Sequence, residues 1–131
     1  MTQEEKQLLL KDLCSRLPYG VKFVSFSESM KHHSEPVTLR QIYYHNECDA
    51  NNIEGDNDIS TIIDLVKLYL RPMSSMTEEE RKEVEDLNMN PFSGSVTDWL
   101  NSYHFDYRNL IDKGLALEAP KDMYNFNNKE K

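Results

Sequence analysis

Glycine is scarce: the chain of 131 residues has four, scattered at 20, 55, 94 and 114, so no glycine-rich loop is available to cradle a phosphate. Cysteine is scarcer, with Cys14 and Cys48 alone, too few to staple a small secreted domain. Neither C-x-x-C nor H-E-x-x-H occurs, and the four histidines, the adjacent His32 and His33 with His45 and His104, lack the usual spacing of zinc ligands. Basic residues are outnumbered, 15 against 23, for a net charge of −8, which excludes general nucleic-acid binding because phosphate neutralisation needs clustered Lys and Arg. Long apolar runs are also absent. The richest stretch, Ile59 to Leu70, is interrupted by Ser60, Asp64 and Lys67 and falls short of the ~18 residues of a membrane span. The acidic start Met-Thr-Gln-Glu-Glu-Lys is unlike a secretory leader, so a cytoplasmic location is expected, with no membrane partner.

What is present reads as an α+β domain. Thr2 and Glu5 form a T-x-x-E capping box ahead of Leu9, Leu13 and Leu17, with Leu10 and Cys14 beside them, so a helix is predicted from Gln3 to Arg16 with Cys14 a buried thiol. Pro18 and Gly20 stop it. Val21 to Phe26 and Val37 to Tyr44 are rich in β-formers and predict two antiparallel strands, with a third, weaker one near Ala50 to Glu54. Ile59, Ile62, Ile63, Val66 and Leu70 keep a helical spacing behind Asp58, although their β-branching leaves a strand as the alternative. A second capping box, Thr77 with Glu80, opens a charged helix. Ser95 with Asp98 starts a third, and Asp106 with Gly114 brackets a last one. Leu115 and Leu117 are expected to pack back on the core. The fold expected is therefore a small antiparallel sheet of two or three strands packed with about four helices, one domain over residues 1–120 and a flexible polar tail over 121–131.

Three phrases carry a resemblance: Met1-Thr-Gln-Glu-Glu-Lys6 through Leu17-Pro-Tyr-Gly-Val-Lys22, then Tyr69-Leu-Arg-Pro-Met-Ser-Ser-Met-Thr-Glu-Glu-Glu80, then Asp98-Trp-Leu-Asn101 through His104-Phe-Asp-Tyr107 to Lys113-Gly-Leu-Ala-Leu-Glu-Ala-Pro120. In these the chain resembles an uncharacterised family of short proteins from gut anaerobic bacteria and their phages. The resemblance implies a setting, bacterial cytoplasm or a mobile element, and supplies no catalytic residues.

Residue patterns for chemistry fail one by one. From Asp49 the acidic loop offers Asn51 at the third calcium-loop position, but Ile53 and Glu54 stand where a ligand and the turn glycine belong. His45, Cys48 and Asp49 with His32 and His33 are a metal set in principle, without a zinc motif's spacing. Ser93-Gly-Ser95 lacks the nucleophile-elbow frame, and Asp106 beside His104 has a capping task. No metal and no cofactor are expected. Trp99, Tyr103 and Tyr107 fit one helical face and a core role, whereas Tyr44, Phe92 or Phe105 would mark a partner patch if exposed. The leading expectation is a non-enzymatic module offering acidic residues to a basic protein: Glu78, Glu79, Glu80, Glu83 and Glu85 on the charged helix, Asp49, Glu54, Asp56 and Asp58 in the acidic loop, and Tyr44 beside it. The alternatives are a small hydrolase with a His–carboxylate pair, built on His45 or His104, and a homodimeric assembly protein.

Overall fold

The computed structural model describes residues 2–27, 29, 31–45, 50–89, 95–121, 123 and 124, with the backbone alone at 45 and 50. Helix α1, Gln3–Arg16, begins as its capping box dictates: Glu5 N–H donates to Thr2 Oγ1 at 3.1 Å and Thr2 N–H donates to Glu5 Oε1 at 2.8 Å. A 3-10 turn, Leu17–Tyr19, follows, and Gly20 takes a left-handed φ of 71° that turns the chain into β1, Lys22–Ser25. Then come β2, Val37–His45; β3, Ala50–Gly55; β4, Ser60–Ile62; and β5, Val66–Leu70. Helices α2, Glu78–Met89, and α3, Val96–Ser102, precede the last strand, β6, Ala116–Glu118.

The six strands form one mixed sheet in the order β4-β3-β2-β1-β5-β6. The β1–β2 pair is antiparallel as expected, and the third strand is present as β3. The sheet nevertheless has six strands against the two or three predicted, because β6 is an added strand and Ile59 to Leu70 is not a helix. It is β4, a 3-10 turn at Ile63–Leu65, and β5, in which Val66, Leu68 and Leu70 are buried and alternate with half-buried Lys67 and Tyr69. Period two overrode the helical spacing here, since the strand has β1 on one side and β6 on the other to satisfy its backbone. β6 joins β5 in parallel, Leu68 opposite Ala116, the one pairing a hairpin cannot make.

Three α-helices stand among the described residues rather than four. After Asp106 the chain makes successive turns, because Asn109 adopts φ 60° and breaks helical continuity. The Asp106 carboxylate receives the amides of Leu110 at 2.8 Å and Ile111 at 3.0 Å, two residues beyond the pair an ordinary cap reaches. Leu115 is buried and Leu117 half-buried. Of the predicted tail, Tyr124 is fastened to the sheet, while 125–131 lie outside the described residues.

One face of the sheet carries the core: Leu9 and Leu13 of α1 meet Val21, Phe23, Val37, Leu39, Ile53, Val66, Leu68 and Leu70. Gly55 makes the close approach possible. A Cβ there would fall 2.7 Å from Val37 Cγ2 and 2.9 Å from the Phe23 ring.

The buried stripe of α1 is Leu9, Asp12, Leu13 and Arg16, so Cys14 is exposed, against expectation. The helix turns two charged residues inward because a third completes them. Asp12 accepts from Arg16 Nε at 2.7 Å and from Arg108 Nη1 at 2.6 Å, while Arg16 Nη2 donates to the Phe105 carbonyl at 2.6 Å. Asp12 and Arg16 have no exposed surface. Removing one member of such a set strands the others without water. Asp12→Ala is expected to lower the unfolding free energy by about 3–5 kcal/mol, read as a lower urea midpoint at an unchanged slope. Cys14→Ala, at the exposed neighbouring position, should stay within about 0.5 kcal/mol of the native chain.

Candidate functional site

Helix α2 is where the acidic residues gather, and the way it is fastened determines which of them face water. Thr77 caps it, donating its N–H to Glu80 Oε1 at 2.9 Å and accepting the Glu80 amide at 3.1 Å. The same Glu80 carboxylate takes both guanidinium arms of Arg71, each at 2.8 Å, a bidentate pair almost closed to solvent. Burial raises the Glu80 pKa, but the Arg71 hydrogen bonds and the Thr77 amide outweigh it and hold the carboxyl below its ordinary 4.5. Glu80 is thus a fastening of the helix and not part of its outer face.

Glu83 makes a second fastening. It receives Trp99 Nε1 at 2.9 Å and lies 3.4 Å from the Tyr103 hydroxyl, whose pKa burial and then Glu83 push upward. Trp99 stacks on Tyr103 at 4.4 Å and lies near-parallel to Phe105 at 5.8 Å, and Arg71 covers the other ring system at 4.2 Å from the Phe105 centroid. Phe105 is fully buried, and Trp99, Tyr103 and Tyr107 are half-buried, so this cluster is internal packing. Phe92 lies outside the described residues. Glu78, Glu79, Glu83, Glu85 and Asp86 of α2 are exposed, as are Arg81 and Lys82, and the helix ends on Met89, which is 84 % exposed.

The second predicted cluster lies elsewhere. Asn57 and Asp58, both at φ 61°, form the two central positions of a tight turn between β3 and β4, closed by Ile59 N–H to the Asp56 carbonyl at 3.3 Å and backed by Gly55 N–H to the Ile59 carbonyl at 2.9 Å. Asp58 is exposed. Asp56 is half-buried, 3.8 Å from Arg40 Nε, and Glu54 accepts the Tyr43 hydroxyl, a bond that raises the tyrosine pKa. Tyr44 is 52 % exposed, and Asp49 lies outside the described residues. Arg40 is an extra residue bulging out of β2 opposite β3. Beside it opens a polar groove of about 390 Å³, lined by Arg40, Gln41, Glu54, Gly55, Asp58, Ile59 and Ser60. From β4 to β5 the sheet spans about 19 Å, and α2 hangs from the residue that follows β5. The two acidic clusters are therefore separate surfaces.

His104 was legible only as a partner for Asp106; that carboxylate is committed to two amides instead. The imidazole is 3 % exposed, and burial, then Arg16, Arg71 and Lys22, press its pKa down to about 3. A base so weak is unsuited to proton abstraction near neutrality. Among the described residues no group of three or more His, Cys, Asp or Glu could hold a metal ion, and no helix is long and apolar enough to cross a membrane.

Comparison with known proteins identifies no relative: no family model matches the chain, and no curated protein or solved structure matches it significantly.

The neutral imidazole has a consequence for stability. The unfolded chain gains a proton near pH 6.5 that the folded chain refuses until about 3, so stability falls as pH drops through that window. The slope is at most about 1.4 kcal/mol per pH unit. Above the 4.5 of an ordinary glutamate the lowered carboxylates contribute nothing to it. His104→Asn tolerates the same backbone and is expected to flatten this acid limb in urea titrations. An unchanged limb would place the lost protons elsewhere.

Proposed function

We propose that the protein is a non-enzymatic interaction module that presents the outer face of α2 to a basic partner protein, in the bacterial cytoplasm or on the mobile element that the sequence resemblance suggests. The observation that carries this reading is the combination of charge and fixation on one helix. Glu78, Glu79, Glu85 and Asp86 stand in water while Glu80 and Glu83 bolt the same helix to Arg71, Trp99 and Tyr103. A solubilising run has no need of a bidentate buried pair beneath it. A surface that must hold its charges in register against a partner does, because pre-organisation spares the ordering loss on binding. Glu78, Glu85 and Met89 lie seven and eleven residues apart on one side, with exposed Arg81 and Lys82 between the two glutamates, and Met89 adds an adaptable apolar contact at that end. Electrostatic steering then gives fast, salt-sensitive association.

The hydrolase reading draws less support, since the charges that shift His104 are all cationic. The hairpin residues Glu54 and Asp56 already serve Tyr43 and Arg40, and contribute less to a free acidic face than Asp58 does.

The test is capture from gut-bacterial lysate by the tagged protein at low and moderate salt, beside the triple variant Glu78→Lys, Glu79→Lys, Glu85→Lys. These side chains are exposed, so the variant should keep the native melting temperature within a few degrees. The native chain is expected to enrich a basic protein that moderate salt releases, and the variant to lose at least several-fold of that capture. Equal capture by both would end the proposal.

A further inference from the structure

Glu54 stands in the middle of a polar row that crosses three strands. Ile42 and Ile53 are partners on β2 and β3 and both belong to the core under α1, so the residues beside them turn to the opposite face. Those residues are Gln41, its partner Glu54, and Ser60, which pairs with Glu54 from β4. The three side chains share the outer face of the sheet, about 5 Å apart from strand to strand. The bulge in β2 brings Arg40, and the turn after β3 brings Asp58, to the walls of the groove of about 390 Å³ that opens there.

A layer behind the groove fixes which of its groups accept protons. Asn52, one row along, spends its two side-chain N–H groups on the Tyr43 hydroxyl at 3.2 Å and the Ser60 hydroxyl at 3.1 Å. The Tyr43 oxygen therefore accepts from Asn52, and its own proton goes to Glu54. Glu54 is thereby held as an acceptor and keeps its remaining lone pairs for the groove. Neither Tyr43 nor Asn52 lines the groove, so both act from behind, as residues that orient a binding site do. Arg40 is equally unspent. Its one ion pair among the described residues is with Asp56, 3.8 Å from Nε, which leaves the two terminal nitrogens of the guanidinium.

The lining selects its ligand by charge. Of the side chains around the groove only Ile59 is apolar, so an apolar ligand has nothing to bury against. An anion would meet Arg40, but also Glu54 and Asp58. A cation would meet both carboxylates, but also Arg40. A neutral polyol would leave both kinds of charge idle. A small molecule carrying a carboxylate and an ammonium close together suits every wall. The volume suits it too, at the small end of the ~300–1,000 Å³ of ligand sites.

We infer that this groove binds an α-amino acid, with the ligand carboxylate on Arg40 and the ligand ammonium on Glu54 and Asp58. The guanidinium fork matches a carboxylate bidentately. Glu54 is already held by Tyr43, so its contact with the ammonium costs little further ordering. The site lies on the β4 side of the sheet and is independent of the acidic face of α2.

Glycine, glycinamide and N-acetylglycine separate the two charges at neutral pH, since the second lacks the carboxylate and the third the ammonium. Binding to the full chain is followed by amide shifts of Gly55 and Ser60. Glycine is expected to bind several-fold more tightly than either analogue, the scale of one exposed ion pair, and more tightly than glycerol. Equal binding of glycine and its analogues, or of glycerol, makes the groove a general polar surface and overturns the inference. Absence of glycine-induced shifts at both amides overturns it as well. Two substitutions check the poles separately. Arg40→Gln should weaken glycine several-fold and leave glycinamide unchanged, while Glu54→Gln should weaken glycine and leave N-acetylglycine unchanged. Glutamine at 54 keeps an acceptor for Tyr43, so both variants should melt within a few degrees of the native chain. Native binding of glycine by either folded variant would refute the assignment.

Discussion

Asp12 organises this molecule. A carboxylate with no exposed surface between two guanidiniums is tolerable only if every member of the set is present and aimed. Arg16 must leave α1 toward the Phe105 carbonyl, Arg108 must arrive from the turns after α3, and Tyr107 lies under both cations, 5.4 Å and 4.7 Å from its centroid. The position of the loop from Phe105 to Arg108 against α1 follows. That loop also carries the bridge from Phe105 to Arg71, and Arg71 in turn holds α2 through Glu80. From Asp12 to α2 runs one chain of contacts, ionic at both ends and carried in the middle by the Phe105 backbone and ring.

Much of this was readable in the residues. Both capping boxes and the Ser95 start are local chemistry within four residues, and each forms as its spacing dictates. Strands β1 and β2 carry their own β-forming composition, whereas β3, Ala-Asn-Asn-Ile-Glu-Gly, signals itself only weakly and is held by its neighbours. Element 59–70 misled because Ile59, Ile62, Ile63 and Val66 satisfy a helical template while Val66, Leu68 and Leu70 satisfy a strand. Only the neighbours β1 and β6 decide between them, and they lie far away in sequence. Nothing local singles out Asp12 and Arg16, because an i, i+4 ion pair is the ordinary mark of a wet helix face. The partner that takes the pair inside is 96 residues from Asp12. Among the candidate residues, spacing could identify Glu80 as a cap but not as the acceptor of Arg71, and nothing local separated the hairpin acids from those of α2.

The interior charge is balanced. Arg16, Arg71 and Arg108 are largely withdrawn from water, as are Asp12, Glu80 and Asp106. Among these described residues equal numbers of each sign are hidden, so the pairing takes charges out of water without shifting the acidic balance of the chain.

The long-range closures also dictate when the fold can be completed. The Arg16 contact to Phe105 spans 89 residues, and β5 waits for Ala116 to take its free edge. A growing chain on the ribosome can cap α1 and pair β1 with β2 early, but Asp12 has no second guanidinium until Arg108 has emerged. Contacts of this separation fold slowly because the ends of a long loop must meet before anything rewards the encounter. Until then a charged stripe faces outward on α1 and an unpaired strand edge remains open. The finished domain is consequently a late product of synthesis, assembled when its last quarter folds back over its first helix.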